Sequence, residues 1–492
     1  MIGIAGAGEQ PLKTLAGRPA IVFSAFAILL LWPTVLDGSP LMFFDSGAYY
    51  STGAKAVKAI FALLSAGPGG GSEADGALAS DGAFSLRSIA YPVFAYVTSL
   101  TPIGLWGPVL VQSAVVTWLI FLLIGPAGRQ AMGAGTDPLA ALRVFGPVLA
   151  VIALASSLPW FASYFMPDVF AGVVVMVGLV IAYRGSELKL WEASFLVLIG
   201  AMAVASHHSH IPLALVVGLF AAGALIVDQR RLPPVPLAAA ALPLVLALGF
   251  NMAVSMIAFN TPSATPKRLP VLLARSIEDG PARWYLSEHC ADRKFTICEI
   301  YDEFPQNAAS VLFGEGGLRS RATDRQMDQI RAQEIDLLVE VLKTYPLQQA
   351  WSFGRNALSQ LFSFGTNDFR WSRIRLERDP PKLWLVDYFD SPDRFFLDLM
   401  GVVHYLTVIA SLGFFVYLFR KDRLLAGRRN WYLLLVAFAG IGINALVCGG
   451  LSAPTDRYQA RLIWVLPVLA GLFWLERRSA PKARAPAVEL QG

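Results

Sequence analysis

The amino-acid sequence predicts an all-α polytopic membrane protein of about ten transmembrane helices, with a small, mostly helical extracytoplasmic domain inserted before the last three helices. Three observations predict this fold. The 492 residues are 55% hydrophobic and only 15% charged, which is more apolar surface than a soluble core can bury. Long apolar runs recur along the chain, and the basic residues between them fall on one side of the resulting helices. Lipid is therefore expected to be the main solvent of this chain.

Each predicted span is an apolar run of about 20 residues, because a chain in lipid must satisfy its backbone hydrogen bonds within the segment. The runs are residues 19–36, 106–125, 142–158, 168–183, 190–206, 211–227, 235–258, 396–419, 431–450 and 460–475. The first run is expected to stay as a helix. Polar Asp37 and Gly38 follow it at the point where a signal peptide would have a small-residue cleavage site.

The basic residues set the orientation, because short loops rich in Lys and Arg are retained in the cytoplasm. One side carries Lys13, Arg18, Arg129, Arg143, Arg184, Lys189, Arg230, Arg231, the cations from Arg420 to Arg429, and Arg477, Arg478, Lys482 and Arg484. The short opposite loops, 159–167 and 206–210, carry neither Lys nor Arg. We expect both termini in the cytoplasm of a bacterial-type inner or plasma membrane, with the active face outside. The net charge of +5 reflects this retention and indicates no nucleic-acid partner.

Four segments follow from this arrangement. Residues 1–258 form an N-terminal transmembrane module of about seven helices with a first outer loop at 37–105; residues 259–395 form the extracytoplasmic domain; residues 396–476 form a C-terminal module of about three helices; and 477–492 form a basic cytoplasmic tail. The first outer loop predicts an amphipathic helix through Leu64, a flexible Gly-rich break at 67–72 and an apolar helix over 88–100. In the outer domain, Ala322-Thr323-Asp324 is typical of an N-terminal cap for a helix that runs to the breaker Pro346, and a second amphipathic helix follows to Phe364.

The three cysteines divide by location. Cys290 and Cys298 lie in the outer domain, separated by seven residues, and the outside of a membrane is where a disulfide persists. We expect a bridge between them, and two free thiols are the alternative. Cys448, near the end of a membrane helix, is interpreted as a packing residue.

Two carboxylates are candidates for catalysis. Asp45 directly follows Phe43 and Phe44 beyond the first span, where partial desolvation favours a basic carboxylate suited to deprotonating a hydroxyl. The alternative is that Asp45 caps the helix beginning near Gly47. Asp168 opens the fourth span on the same side, and its alternative role is to favour the helix dipole. The topology therefore allows one shared site.

These segments resemble a known family. Asp45 with the following Tyr49 and Tyr50, the Tyr91-Pro92 step before the second span, and Met166-Pro167-Asp168 at the start of a later helix look like the C-type (GT-C) superfamily of integral membrane glycosyltransferases. The resemblance covers residues 1–185 and the general layout of the rest. It departs from the family where many members carry paired acidic residues in the first loop, since Ser46 follows Asp45 here.

The resemblance implies a polyprenyl-phosphate-linked sugar as donor and a glycan, lipid or protein as acceptor. It places the catalytic acidic residue in the first outer loop, which is Asp45 in this chain, with Asp168 in the same pocket and Tyr49 and Tyr50 binding substrate. A phosphate leaving group needs cations or a metal ion to stabilise its developing charge.

Outer-face cations and histidines are the candidates for that role. Arg457 and Arg461 lie in the predicted loop 451–461, and Arg87, Lys267 and Arg268 are secondary candidates. For Arg461 the alternative is a side chain that snorkels from a helix end. His207 and His210 are expected on one helical face at i and i+3, near the substrate. A divalent cation held by these carboxylates and histidines is one alternative and separate roles are the other, so no cofactor or metal ligand is assigned.

Two other functional classes stay open. A polymerase or ligase of lipid-linked glycans would depend more on the arginines and histidines than on Asp45. A transporter or flippase of lipid-linked substrates would show charged residues or broken helices at mid-membrane, whereas the predicted spans are almost free of charge. Asn251 and Asn444 are the polar exceptions, and hydrogen bonds between helices account for them.

Overall fold

The structure is a computed structural model that describes residues 17–65, 88–132, 138–229, 233–265, 267–292, 295–371, 373–378, 381–386, 394–421 and 428–479. Several predicted features lie outside the described residues: Lys13, the Gly-rich break at 67–72, Arg87, Arg230, Arg231, residues 422–427 and the tail from 480 onward.

The described chain is almost entirely helical. Its N-terminal part contains α1 (Gly17–Leu29), α2 (Trp32–Asp37), α3 (Ser46–Ser65), α4 (Ala90–Ser99), α5 (Trp106–Met132), α6 (Pro138–Ala155), α7 (Leu158–Ala162), α8 (Val169–Arg184), α9 (Leu190–Ala205), α10 (His210–Gln229) and α11 (Pro234–Phe259). The middle part contains α12 (Val271–Asp279), α13 (Pro281–His289), α14 (Ala308–Leu312), α15 (Leu318–Arg321), α16 (Asp324–Thr344), α17 (Pro346–Phe362) and an antiparallel hairpin of β1 (Arg373–Arg378) and β2 (Pro381–Val386). The C-terminal part contains α18 (Arg394–Lys421), α19 (Arg428–Ala445) with a π-helical turn at Leu446–Gly450, α20 (Asp456–Ile463) and α21 (Val465–Ser479).

The protein is an all-α polytopic membrane protein by the length and composition of its helices. Among the described residues, seven segments are long and apolar enough to cross a membrane: Trp106–Met132, Val169–Glu187, His210–Val227, Pro234–Phe259, Phe395–Lys421, Arg428–Gly450 and Asp456–Ser479. Shorter apolar helices at Ala20–Leu29, Ala140–Ala155 and Leu190–Ala205 lie at the other predicted spans.

Proline interrupts the first and last predicted spans. The run 19–36 is divided into α1 and α2 because Pro33 has no N–H to donate to the carbonyl of Leu29, where α1 ends. In the same way Pro467 cannot bond the carbonyl of Ile463, where α20 ends. The last apolar segment also begins at Asp456, earlier than the predicted residue 460, so the end of the predicted loop 451–461 is helical.

The described parts of the segment 37–105 fold close to their prediction. Helices α3 and α4 occupy the two expected positions and pack tightly, since a Cβ on Gly53 would lie 2.1 Å from the carbonyl oxygen of Pro92. Residues 41–46 run along the segment before α8: the amide of Leu41 donates to the carbonyl of Ser163 at 2.9 Å, and the amide of Phe165 donates back to Leu41 at 2.9 Å.

The middle part has its own hydrophobic core, formed by side chains such as Leu273, Ile277, Leu286, Leu337 and Val341. Thr323 caps α16 as predicted, with its side chain bonded to the amide of Gln326 and the side chain of Gln326 bonded back. The predicted disulfide between Cys290 and Cys298 is present. The β1–β2 hairpin was not predicted, and its signal is the alternation of Ile374 and Leu376 with charged neighbours.

Candidate active site

The centre of the candidate site is Asp168, which is 3% exposed and precedes α8. Its side chain makes no capping hydrogen bond to the helix among the described residues. Its Oδ1 lies 3.7 Å from Nε of Arg457 and 3.5 Å from Nη1 of Arg461. Both distances exceed the 2.7 to 2.9 Å or so of a charge-assisted hydrogen bond, so the carboxylate attracts both guanidinium groups without a direct hydrogen bond to either.

Arg457 and Arg461 lie one turn apart on α20 and not in a loop, which corrects the sequence prediction. The start of this helix is held from outside. The side chain of Gln360 on α17 accepts from the amide of Thr455 at 3.0 Å and donates to its carbonyl at 2.8 Å. The amide of Arg457 donates to Oδ2 of Asp368 at 2.8 Å. The two arginines therefore project from a helix whose start is fixed by Gln360 and Asp368.

Arg461 is fully buried at 1% exposure, so it does not snorkel to the membrane surface. Its Nη2 donates to Oδ1 of Asn444 at 2.9 Å and to Oγ of Ser209 at 3.1 Å, and lies 3.2 Å from Sγ of Cys448. Asn444 does bond between helices as expected, since its Nδ2 donates to Oε1 of Gln459 at 2.8 Å. Asn444 and Cys448 thus have a further role, because both contact the buried guanidinium.

Arg457 connects this cluster to the first outer loop. Its guanidinium carbon lies 4.0 Å from the centre of the Phe43 ring, a cation–π contact. Ser46 Oγ accepts from the amide of Phe43 at 2.9 Å and donates to the carbonyl of Phe165 at 3.0 Å. Asp45, which is half-buried, lies between Phe43 and Ser46 and is the N-cap position of α3, since its carbonyl accepts from the amide of Tyr49 at 3.1 Å. The structure thus brings the Asp45 segment against the segment that leads to Asp168.

Tyr49 and Tyr50 are both buried between α3 and α4. The Tyr49 ring meets Tyr91 edge-on at 5.3 Å, and Tyr50 meets Tyr96 at 5.3 Å. Tyr91 in turn donates to Oε1 of Gln112 at 3.0 Å. These rings form an aromatic layer beneath the Asp45 segment.

His207 lies in the turn between α9 and α10, whereas His210 is the first residue of α10, so the two do not share one helical face as expected. Their rings are nevertheless close, with 5.4 Å between the centres of His207 and His210. His210 Nδ1 lies 2.7 Å from the carbonyl oxygen of Ala203, so this nitrogen carries the proton and Nε2 is an acceptor. Burial, and then the charges of His210 and Arg461, lower the pKa of His207 well below its ordinary value. His207 is therefore neutral at neutral pH.

Several polar atoms of the cluster have no partner among the described residues. They are two donors, Nη1 of Arg457 and Nε of Arg461, and one acceptor, Nε2 of His210. Buried donors are nearly always satisfied, and here the fully buried guanidinium of Arg461 and the largely buried one of Arg457 face one buried carboxylate, Asp168. The cluster therefore fits an anion with several acceptor oxygens, such as a phosphate. No group of three or more His, Cys, Asp or Glu within the described ranges is arranged to hold a metal ion.

An apolar groove of about 670 Å³ opens between α3, α4, α9 and α11. Its walls include Val93, Phe94, Met202 and Phe250, and it reaches Ala90 and Ala205. Ala90 directly precedes Tyr91, and Ala205 lies two residues before His207. The groove therefore reaches residues that neighbour Tyr91 and His207 in the sequence.

A second, basic cleft of about 810 Å³ lies between α3 and β2. Lys55 and Lys58 line it from α3, Lys382 and Trp384 line it from β2, and Phe44 lies at the end next to Asp45. The hairpin is seated closely, since a Cβ on Gly47 would lie 2.5 Å from the carbonyl oxygen of Leu383. This cleft therefore places three lysines and exposed aromatic rings beside the Asp45 segment.

The remaining predicted cations are occupied elsewhere. Arg268 pairs with the buried carboxylate of Glu334 on α16 at 2.5 Å, and the Lys267 ammonium lies 5.1 Å from the Phe259 ring. Sequence reasoning missed Gln360, Asp368 and Phe43, which position the two arginines. The available signal was polar residues within otherwise apolar or amphipathic runs.

The chain was compared with protein-family models, curated proteins and solved structures, and it matches none of them.

Proposed function

We propose that the protein is a membrane glycosyltransferase that moves a sugar from a polyprenyl-phosphate donor to an acceptor at the outer face of the membrane. One observation carries the proposal: Arg461, which is fully buried, and Arg457, which is largely buried, both have N–H groups without a partner in the described chain and share the single buried carboxylate of Asp168. A phosphate matches these N–H groups, and a long hydrocarbon chain linked to it matches the apolar groove.

In this proposal the donor lies across the groove and the cluster. Its hydrocarbon chain occupies the apolar groove between α3, α4, α9 and α11, and its phosphate oxygens accept hydrogen bonds from Arg457 and Arg461. Arginine suits this role because its planar fork matches phosphate oxygens. The neutral His207 adds no repulsion or competing charge at this point.

The reaction is a substitution at the anomeric carbon of the sugar. The oxygen of the acceptor hydroxyl forms a bond to that carbon, and the bond from the carbon to the phosphate oxygen breaks. The electron pair leaves on the phosphate, where the two guanidinium groups stabilise the developing charge. The proton of the hydroxyl passes to the carboxylate of Asp45, which acts as general base. Asp168 holds the two arginines at their working distance.

The acceptor approaches Asp45 from the basic cleft. Three lysines line this cleft, and Trp384 is 49% exposed within it, so it suits a sugar ring stacked on indole and carrying a negative group. An anionic glycan or a phosphorylated glycolipid has this chemistry.

The proposal includes the finer topology: ten spans, both termini in the cytoplasm and residues 259–395 outside. The separate core around Leu273 and Val341 and the disulfide support an outer domain. The three shorter apolar helices support the spans beyond the seven long ones.

The test is sugar transfer by purified protein, supplied with a panel of labelled polyprenyl-phosphate sugars and a membrane extract as the source of acceptors. We expect the wild type to move label from the carrier, and Asp45→Asn to reduce the rate about 10²- to 10⁴-fold, as loss of a general base does. Asp336→Asn, which changes an exposed carboxylate on α16, is the matched control and should keep full activity.

Two results would contradict the proposal at different levels. A wild-type protein that moves label from none of the donors would reject the reaction. Transfer by Asp45→Asn within about threefold of wild type, at equal thermal stability, would assign Asp45 to helix capping and remove it from the chemistry.

A further inference from the structure

Helix α17 has its apolar residues on the outside. Leu347, Trp351, Leu358 and Phe362 are 80%, 71%, 59% and 63% exposed. Their spacing places them along one narrow stripe of the helix. Such a continuous stripe of large exposed side chains is unusual on a surface that faces water.

The opposite face of α17 is polar and buried. Oε1 of Gln349 accepts from Ser276 at 2.7 Å, Nδ2 of Asn356 donates to Asp279 at 2.9 Å, and Gln360 forms its two bonds to Thr455. A helix that covers a water-soluble domain has the reverse arrangement, with its apolar face turned inward and its polar face exposed. The exposed stripe therefore fits an apolar surrounding.

The end of α17 lies beside the apolar part of α18. The hydroxyl of Tyr405 donates to the carbonyl of Phe362 at 2.8 Å and accepts from the amide of Phe364 at 3.0 Å. Counting about 20 residues of hydrocarbon back from Arg420 places Tyr405 about five residues, or about 8 Å, below the outer edge of the hydrocarbon. Phe362 is held at that level.

The apolar surface is also continuous between the two helices. On α18 near the same level, Leu399, Val402 and Leu406 are 47%, 54% and 60% exposed. These residues belong to a candidate membrane span, so their partner is lipid.

We propose that α17 is an interfacial helix embedded in the outer leaflet of the bilayer, with its Leu347, Trp351, Leu358 and Phe362 stripe among the acyl chains. Amphipathic helices of this kind bury their apolar face about 5 to 10 Å into the boundary of headgroups and acyl chains, which is the depth at which Phe362 lies. Arg355, beside the stripe and 3.7 Å from Asp279, reaches the headgroups. Because Gln360 clamps Thr455, the same helix seats the start of α20 and its two arginines relative to the membrane.

The test is spin labelling in nanodiscs of phosphatidylcholine. Single cysteines replace Leu347 and Leu358 on the stripe, and Ser287→Cys on α13, an exposed site of the outer domain, is the control. The parent protein is the blank, since Cys290 and Cys298 are bridged and Cys448 is buried. We expect both stripe labels to collide more often with oxygen than with a water-soluble nickel chelate, and the label at 287 to show the reverse.

Two outcomes overturn the proposal. Stripe labels as accessible to nickel as the label at 287 would place α17 in water. Stripe labels that are immobile and shielded from both reagents would show that protein, such as a second copy of the chain, covers the stripe. Two labelled positions keep the test decisive if one substitution perturbs folding.

Discussion

Arg457 and Arg461 are too buried to be ordinary surface cations, and their single buried counter-charge is Asp168 within the described chain. Bringing two cations out of water is costly unless hydrogen bonds and opposite charge offset it. Arg461 has several such bonds, whereas the guanidinium of Arg457 is stabilised by Asp168 and the Phe43 ring and leaves its Nη1 without a hydrogen-bond partner among the described residues. An incoming anion is therefore expected to gain the most binding free energy from its contact with Arg457.

Arg457→Lys tests this assignment, because it keeps the charge and removes the planar fork and much of the stacking on Phe43. Loss of a hydrogen bond to a charged group costs about 1.5 to 3 kcal/mol, so we expect polyprenyl phosphate to bind about 10- to 100-fold more weakly. Binding of the polyprenyl monophosphate to purified protein measures the effect. Arg319→Lys, at an exposed position of α15, is the control. Equal affinity in the wild type and Arg457→Lys would separate Arg457 from the phosphate.

His208 gives a pH-dependent prediction. Burial, and then the charge of Arg268, lower the pKa of His208 from 6.5 to about 4. The folded protein thus binds fewer protons than the unfolded chain between these values, so this contribution to stability is present above about pH 6.5 and is lost as pH falls toward 4. Between pH 7.5 and pH 5 we expect the wild type to lose about 1 to 2 kcal/mol more free energy of unfolding than His208→Gln.

The comparison with His208→Gln is needed because Asp37 acts in the opposite direction. Burial raises its pKa to about 6, which destabilises the folded state as pH rises through that value. Both proteins retain Asp37, so the difference between them isolates His208. Unfolding curves in detergent at the two pH values provide the measurement, and parallel losses in the two proteins would show that His208 is not held neutral by the fold.

For single residues, the sequence indicated which residues were candidates for the site but not which of them contact one another. Asp168, Arg457 and Arg461 were candidates because polar residues at the outer ends of apolar runs are few. Their mutual distances depend on how α8 and α20 pack, which no local pattern encodes. Asn444 and Cys448 had ordinary explanations as membrane-helix residues, and only packing shows that both touch Arg461.

At the scale of elements, apolar runs and prolines account for most of what the sequence predicted. Helices α3, α4 and α16 begin and end close to their expected residues because amphipathic spacing and a Thr323 cap are local signals. The breaks caused by Pro33 and Pro467 were readable in principle, since proline interrupts a helix four residues earlier. The β1–β2 hairpin was missed because its short alternation of apolar and charged residues resembles an amphipathic loop.

The hairpin supports a prediction about the acceptor. If the basic cleft binds an anionic acceptor, Lys58→Ala and Lys382→Ala should each raise the acceptor KM about 2- to 5-fold, since an exposed charge pair contributes about 1 kcal/mol or less. The donor KM should not change, because the arginines lie elsewhere. Lys343→Ala, an exposed lysine on α16, is the control. Steady-state rates of sugar transfer, measured at varied acceptor concentration, give the acceptor KM of each variant. An unchanged acceptor KM in both cleft variants would exclude the cleft as the acceptor site.

For the whole molecule, the distribution of apolar and charged surface explains the architecture. Large exposed side chains such as Ile21, Leu198 and Leu219 belong to helices whose outer faces would be unstable in water. Charged partners collect at the ends, as where Glu476 accepts from Arg429 at 2.9 Å and from Tyr183 at 3.0 Å, joining α8, α19 and α21. The polar site cluster lies at the opposite ends of these helices, so one face carries anchoring charges and the other carries the candidate chemistry.

This separation of charges predicts the orientation of the protein in the membrane. Loops rich in Lys and Arg stay in the cytoplasm, so the loop between α18 and α19 should be inside and the α13 region outside. In intact cells, a membrane-impermeant maleimide should therefore label Ser287→Cys, and it should label Leu425→Cys only after permeabilisation. The parent protein should stay unlabelled, because its cysteines are bridged or buried. Labelling at 425 in intact cells would show that the orientation is the reverse of the one predicted. Asp45, Asp168 and both arginines would then lie on the cytoplasmic side. A lipid-linked donor and its acceptor would then have to be sought at that face.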